Sequence, residues 1–405
     1  RAQAMKRGVG GVLAVTFAAR GVMSANTQGA PPRALDFSSS PACTTGVLAL
    51  RPERVALLSK KGVEVTPIEP LGAAVRGLDL RKEPDADVLQ ALQEEMAERG
   101  FIVFKGQGIL TGDEQVRASE YWGGREMHST HGVHPRAPNR HIFRLSNDRD
   151  VGILGVGPQW HNDGSFERGV FSHVGYHIVR VPEKGGGTIF AHQGAAFDLL
   201  PPETAERWQR YVSVNSNSGV LHPMVHEHPI SKRKSVYLHL GMTGAVLEVT
   251  PGGAAAGGSG GASADSKRQL RLLEADEMRQ LFNEYNDLLN AGLPDGSPYK
   301  TAPERQQRPP GAPPFAVAYE YEEGDMVFID NLAVAHRAAP EAHAGRAEQG
   351  LRILHRSTVA AMRNLDPPFG LPSQINIFGP NPLGQGVWIG SGIGFRWDDG
   401  IRMQN

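Results

Sequence analysis

The chain has 405 residues, 49 of them glycine, 29 proline and one cysteine, with 42 basic against 43 acidic residues for a formal net charge of −1. The glycine excess excludes a helical bundle or coiled coil, and the even charge excludes an overall footprint for nucleic acid or an anionic membrane. Cys43 alone excludes an internal disulfide framework and any CxxC zinc or redox site, and no uncharged apolar run reaches the ~18 residues of a membrane span.

Residues 1–60 stand apart. Arg1, Lys6, Arg7, Arg20 and Arg33 precede position 50 with Asp36 as the only acid, among many small residues. That composition is expected of an organelle-targeting segment, plastid or mitochondrial, or of a plain disordered tail. From about residue 61 the chain reads as a soluble, intracellular globular domain. Val63 to Val65 suggests a short strand. Asp87 to Arg99 spaces Val88, Leu92 and Met96 along one helical face, and Gly100 stops it. Phe101 to Phe104 is an apolar run of buried-strand type. Further strand-like segments are Tyr176–Val179, Thr188–Phe190, Ser235–Leu240, Phe315–Tyr321 and Met326–Ile329. Gly and Pro clusters separate them, the pattern of a barrel or sandwich. Residues 251–266 are a Gly/Ala/Ser insertion that cannot build a core, and a helix is expected over Arg268–Leu289. Residues 364–405, with Trp388 and Trp397, form an extension expected to lie as an ordered strap. The expected fold class is mainly β with flanking helices, in one catalytic domain spanning 61–363.

Trp160-His161-Asn162-Asp163 places an imidazole and a carboxylate two apart, which on a strand puts both on one face. Far downstream, Asp330 to His336 offers a second imidazole. Two histidines and one carboxylate are the set that holds Fe(II) while leaving positions open. Arg352 and Arg356 sit four apart on an apparent strand. An inward guanidinium there wants an anion, although two solvated basic residues would read the same way. His128, His131 and His134 form a loop cluster that lacks a completing ligand. Lys232-Arg233-Lys234 reads as a charged turn between strands.

These segments resemble, in order, the taurine dioxygenase and chlorophenoxyacetate dioxygenase family of Fe(II)- and 2-oxoglutarate-dependent oxygenases. The similarity runs through Pro70–Leu80, Gly100–Gln107, His134-Pro135, Trp160–Phe166 and Gly185–Thr188. It continues through His222-Pro223, His228-Pro229, Asp330–His336 and Arg352–Arg356. The resemblance implies a double-stranded β-helix, or jelly roll, with His161, Asp163 and His336 as iron ligands. It implies that Arg352 and the Thr188 hydroxyl hold 2-oxoglutarate, and that Arg356 and His134 face the primary substrate. Trp160 and Asn331 would support the ligands or pack beside them. The implied reaction uses O2 to oxidise a C–H bond of a small anionic or zwitterionic substrate, most simply by hydroxylation, releasing succinate and CO2. No nucleic acid or membrane partner is implied, and a homo-oligomer is compatible with it. Leu332 stands where the family often has arginine. Ala137 and Gly157 stand where a taurine-specific enzyme presents polar side chains. Two other readings remain: a catalytically silent β-helix or cupin-like binding protein, and a zinc hydrolase on the same fold. Residues 123–140 and the 251–266 insertion are candidate lids.

Overall fold

The apolar spacing of Val88, Leu92 and Met96 forms a helix, ended by Gly100 at φ 85°, a left-handed conformation that favours a residue without a Cβ. A Cβ at Gly100 would also meet Val334 Cγ2 at 2.2 Å, so the turn lies directly against the core. The computed structural model describes residues 35, 37–40, 46–123, 132–155, 157–250, 269–361, 365, 367, 371 and 373–375.

From the amino end run α1 (Pro52–Lys60), β1 (Glu64–Pro67), β2 (Ala73–Arg76), α2 (Ala86–Arg99), β3 (Phe101–Phe104), α3 (Gly112–Glu120), β4 (Phe143–Ser146) and β5 (Phe171–Arg180). Next come β6 (Thr188–His192), α4 (Gln193–Asp198), α5 (Pro202–Gln209), β7 (Tyr211–Asn215), β8 (Leu221–Pro223), β9 (Val225–Glu227), β10 (Lys234–Val236), β11 (Thr243–Thr250) and β12 (Gln269–Leu272). The last are α6 (Ala275–Ala291), β13 (Ala316–Tyr319), β14 (Met326–Asp330), β15 (Val334–Ala338), α7 (Arg346–Gln349) and β16 (Ile353–Ala360).

Seven strands form the larger sheet in the order β1-β2-β3-β14-β5-β16-β4, antiparallel except for β2 beside β3. A smaller sheet has the order β13-β6-β15. Side chains alternate across a strand. Phe101, Val103, Val174, Tyr176, Val327 and Ile329 therefore face one way, and they bury against Phe190 and Val334 of the smaller sheet. The rings of Phe101 and Phe190 stack at 4.5 Å across that interior. The alternate residues Ile102, Phe104, Met326 and Phe328 face outward onto Leu92, Met96 and Trp122. α6 covers the far side of the smaller sheet, where Leu281, Phe282 and Leu288 join Ile189, Ala191 and Ala335. The protein is mainly β with flanking helices, as expected.

Several expectations need correction. The helix expected from Arg268 starts only at Ala275, because Leu270 and Leu272 alternate around Arg271 and pair with Val249 and Leu247 as β12. Folded structure also reaches back before residue 61. Leu58 of α1 is fully buried, and Arg54 bridges Glu95 at 3.1 Å and Glu98 at 2.8 Å on α2. The described part of the expected tail is thus packed structure; residues 1–34 lie outside the described residues. So do the 251–266 insertion, residues 124–131 with His128 and His131, and both Trp388 and Trp397. Part of the carboxyl-terminal extension does lie along the body: Leu221 donates to the Ser373 carbonyl at 3.0 Å and Ile375 to that of Gly219 at 2.9 Å. Lys232 to Lys234 joins β9 to β10, the turn expected of it. Among the described residues, no helix is long and apolar enough to cross a membrane.

Candidate metal centre

The segment around His161 is not the strand its spacing suggests. His161 makes an isolated bridge with His336 of β15, each amide donating to the other's carbonyl at 3.0 and 2.9 Å. The chain then turns away, and Asn331 holds that turn. The Asp163 amide donates to Asn331 Oδ1 at 2.9 Å, and Asn331 Nδ2 donates to the carbonyls of Asp163 and Phe171, both at 2.8 Å. Asn162, itself fully buried, donates to the Asn331 carbonyl at 2.7 Å and to Gln193 Oε1 at 2.8 Å. Asn331 in turn sits in a tight turn after β14, where Asp330 Oδ1 accepts the amides of Leu332 and Ala333 at 3.0 and 3.2 Å. His228 Nε2 meets both Asp330 oxygens at 3.1 Å. Burial opposes the charged Asp330 carboxyl, but His228, with His173 and the Leu332 amide, holds the pKa at about 2. The two His-Pro dipeptides thereby acquire a role. His228 fixes the turn after β14, while His222 Nε2 bonds the Ser165 carbonyl at 3.0 Å in the turn after Asp163.

This framework gathers His161, Asp163 and His336, all buried, with one ligand atom from each within 4.8 Å of the others. His161 Nε2 lies 3.9 Å from Asp163 Oδ1, and His336 Nε2 lies 3.7 Å from Asp163 Oδ2. The Gln159 carbonyl bonds His161 Nδ1 at 2.7 Å; a carbonyl only accepts, so Nδ1 carries the proton and Nε2 presents its lone pair. Burial lowers the pKa of both histidines, that of His336 to about 3, so the rings are neutral. Burial also opposes the Asp163 charge, but charged neighbours, Arg356 foremost, hold its pKa down at about 2. Asp163 Oδ2 is a buried acceptor with no hydrogen-bond partner among the described residues, an arrangement that costs stability unless a cation completes it. Two neutral imidazoles and one carboxylate fit Fe(II).

A small cavity opens on His161 and His336 and is also lined by Tyr176, Thr188, Arg352 and Arg356. Arg352 just precedes β16, and its Nε donates to the Gly186 carbonyl at 3.0 Å in the Gly-rich turn before Thr188. The long step from His336 to Arg352 is ordered, holding a 3-10 turn over Pro340–His343 and then α7. Arg356 lies over the Phe143 ring at 4.7 Å and donates to Asp163 Oδ1 at 2.7 Å, so it meets the candidate ligand carboxylate directly. Gly157 sits at φ 72°, where a Cβ would lie 2.8 Å from His161 Cε1; any side chain there would press on the ligand ring.

Trp160 is wholly buried and packs away from the cavity, donating to Asn290 Oδ1 at 3.1 Å beneath the Arg337 guanidinium. His134 is half-buried in a loop and accepts the Arg136 amide at 3.1 Å; it does not line the cavity. Two residues at the centre carry no sequence signal. The Tyr176 hydroxyl lies 2.9 Å from His336 Nε2, with burial pushing its pKa well up, and the His239 ring lies 5.0 Å from that of His161.

The family model "Taurine catabolism dioxygenase TauD, TfdA family" matches residues 64–293, which hold two of the three candidate ligands. An alpha-ketoglutarate-dependent sulfonate dioxygenase of Saccharomyces cerevisiae is 28% identical over 224 residues, 49% of this chain and 53% of that one. Pentalenolactone F synthase of Streptomyces arenae is 27% identical over 314 residues, 68% of this chain and 89% of that one. The chain spans about half the length of the yeast relative. Among solved structures, that of AAD-2 with Mn(II) and N-oxalylglycine superposes with a TM-score of 0.53 at 21% identity, covering 75% of this chain and 99% of that one. A taurine dioxygenase from Burkholderia xenovorans superposes at 0.51 and 19% identity, covering 74% and 91%. The chain belongs to the TauD/TfdA family of taurine catabolism dioxygenases.

Proposed function

We propose that the chain is an Fe(II)- and 2-oxoglutarate-dependent dioxygenase that hydroxylates a C–H bond of a small anionic or zwitterionic substrate. The observation that carries this reading is the His161, Asp163 and His336 cluster, whose two histidines line one cavity with Thr188 and Arg352. Bound iron supplies the activation of O2 by which 2-oxoglutarate becomes succinate and CO2 while the substrate C–H becomes C–OH. Arg352 has no carboxylate partner among the described residues, so its guanidinium is available to the distal carboxylate of the co-substrate, beside the Thr188 hydroxyl. Arg356 keeps Asp163 ionised and turned to the histidines. Its Nε is buried with no partner among the described residues, and the residue lines the cavity, which suits an anionic group on the substrate. Relatives named for sulfonates and sulfate esters support that substrate class. Two sheets facing each other across the site support a double-stranded β-helix as the finer description of the fold.

Fe(II)-reconstituted protein in air should turn 2-oxoglutarate into succinate when offered sulfonates, sulfate esters or carboxylates, and should stop without O2. No succinate with any of these, together with no 2-oxoglutarate binding to Mn(II)-loaded protein, would sink the reading.

A further inference from the structure

Tyr176 lies in the register of β5 opposite Arg356 of β16 and Val327 of β14, so its side chain shares the inward face with Arg356. It is 6% exposed, and its hydroxyl reaches His336 Nε2 at 2.9 Å. The same nitrogen faces Asp163 Oδ2 at 3.7 Å, which makes it the nitrogen a metal would take. A neutral imidazole has one lone pair, and a phenol, protonated at neutral pH, has one proton to donate. With the ring proton on Nδ1, the tautomer that frees Nε2 for a metal, the hydroxyl and the metal compete for one lone pair. When the metal takes it, the phenol proton needs another acceptor. Besides the two histidines, the polar groups lining the cavity around it are Thr188, Arg352 and Arg356, and the two guanidinium groups can only donate. The carboxylate beside it, Asp163, has Oδ1 taken by Arg356, and its Oδ2, which faces the same Nε2, would go to the metal, so the phenol is left without an anionic acceptor.

We propose that Tyr176 is a two-position donor: it holds His336 in the metal-free protein and donates to bound 2-oxoglutarate once a metal occupies Nε2. The proposal rests on the 2-oxoglutarate reading above and adds a contact to it. The Tyr176→Phe substitution keeps the buried ring and removes only the hydroxyl.

The test is calorimetric titration of wild-type, Tyr176→Phe and Arg352→Gln proteins, first with Mn(II) alone and then with 2-oxoglutarate on the Mn(II)-loaded forms. Losing one hydrogen bond to a charged acceptor should weaken 2-oxoglutarate by about ten-fold in Tyr176→Phe. Mn(II) should bind this variant as tightly as wild type or more tightly, since the competing donor is gone. Unchanged 2-oxoglutarate affinity would overturn the proposal. A parallel loss of Mn(II) affinity would also overturn it, because the hydroxyl would then only order the ligands. If Mn(II)-loaded wild-type protein binds no 2-oxoglutarate, the dioxygenase reading itself falls. If wild type binds it and Arg352→Gln does not, that reading stands whatever Tyr176→Phe does.

Discussion

Asn331 makes no contact with the proposed iron, yet its replacement should disable the site. In Asn331→Ala, the Asp163 amide loses its acceptor at 2.9 Å, and the carbonyls of Asp163 and Phe171 lose their donor at 2.8 Å. Asn331 is 0% exposed, so water does not readily replace these bonds. At a net ~1 kcal/mol for each hydrogen bond, three amount to about 3 kcal/mol, or more if the freed groups stay dry. For a chain of this size that corresponds to a fall of about 3–4 °C in the melting midpoint. The turn carrying Asp163 then loses its tether, and a metal site that loses an orienting partner typically binds about ten- to a hundred-fold more weakly. Thermal melts of metal-free protein and Mn(II) titration read the two effects separately. Asn331→Asp, which keeps an acceptor for the Asp163 amide but sets a buried carboxylate oxygen against both carbonyls, should be no more stable than alanine. A midpoint within about 1 °C of wild type, with unchanged Mn(II) affinity, would refute the idea that this amide positions the ligand.

Other outcomes follow from the same geometry. Mn(II) at about a hundred times its Kd should stabilise the protein by about 2.7 kcal/mol, and His161→Ala should abolish that gain in a thermal-shift assay. Arg352→Gln should raise the KM for 2-oxoglutarate by about ten-fold or more, through loss of a charge-assisted bond, leaving the melting midpoint little changed. His192 is held at about 3 by burial; its Nδ1 accepts the Ala195 amide at 3.1 Å while Nε2 bonds the Glu98 carbonyl at 3.1 Å, an arrangement that needs the neutral ring. A depressed folded pKa gives stability that is full above the unfolded value, near 6.5, and is lost as pH falls below it, by about 1.4 kcal/mol per pH unit. The melting midpoint should therefore drop between about pH 6.5 and 4, and His192→Asn should flatten that slope. An unchanged slope would remove His192 from the account.

The residue types for chemistry were legible in the sequence because their spacing is local. His161 and Asp163 lie two apart, Arg352 and Arg356 four apart, and the helix before Gly100 and the strand after it follow from short-range periodicity. The same local logic failed where two periods compete, as at Leu270 to Leu273, where pairing with β11 claims residues that a helix would also accept. It failed again at Trp160 to Asp163, where a single bridge to His336 replaces a strand. Spacing alone offered nothing on Tyr176 or His239, whose neighbours at the site come from distant parts of the chain. His228 was visible only as part of a His-Pro dipeptide, because its partner Asp330 belongs to another strand.

Composition and local pattern by themselves pointed to a mainly β chain and to two histidines and one carboxylate as candidate metal ligands. The tertiary structure decided which groups hold those ligands still: Asn331 behind Asp163, the Gln159 carbonyl behind His161, and Tyr176 against His336. The physical reason is that a metal site needs directed lone pairs as well as the right residues, and direction comes from hydrogen bonds between segments that meet only when the sheets close.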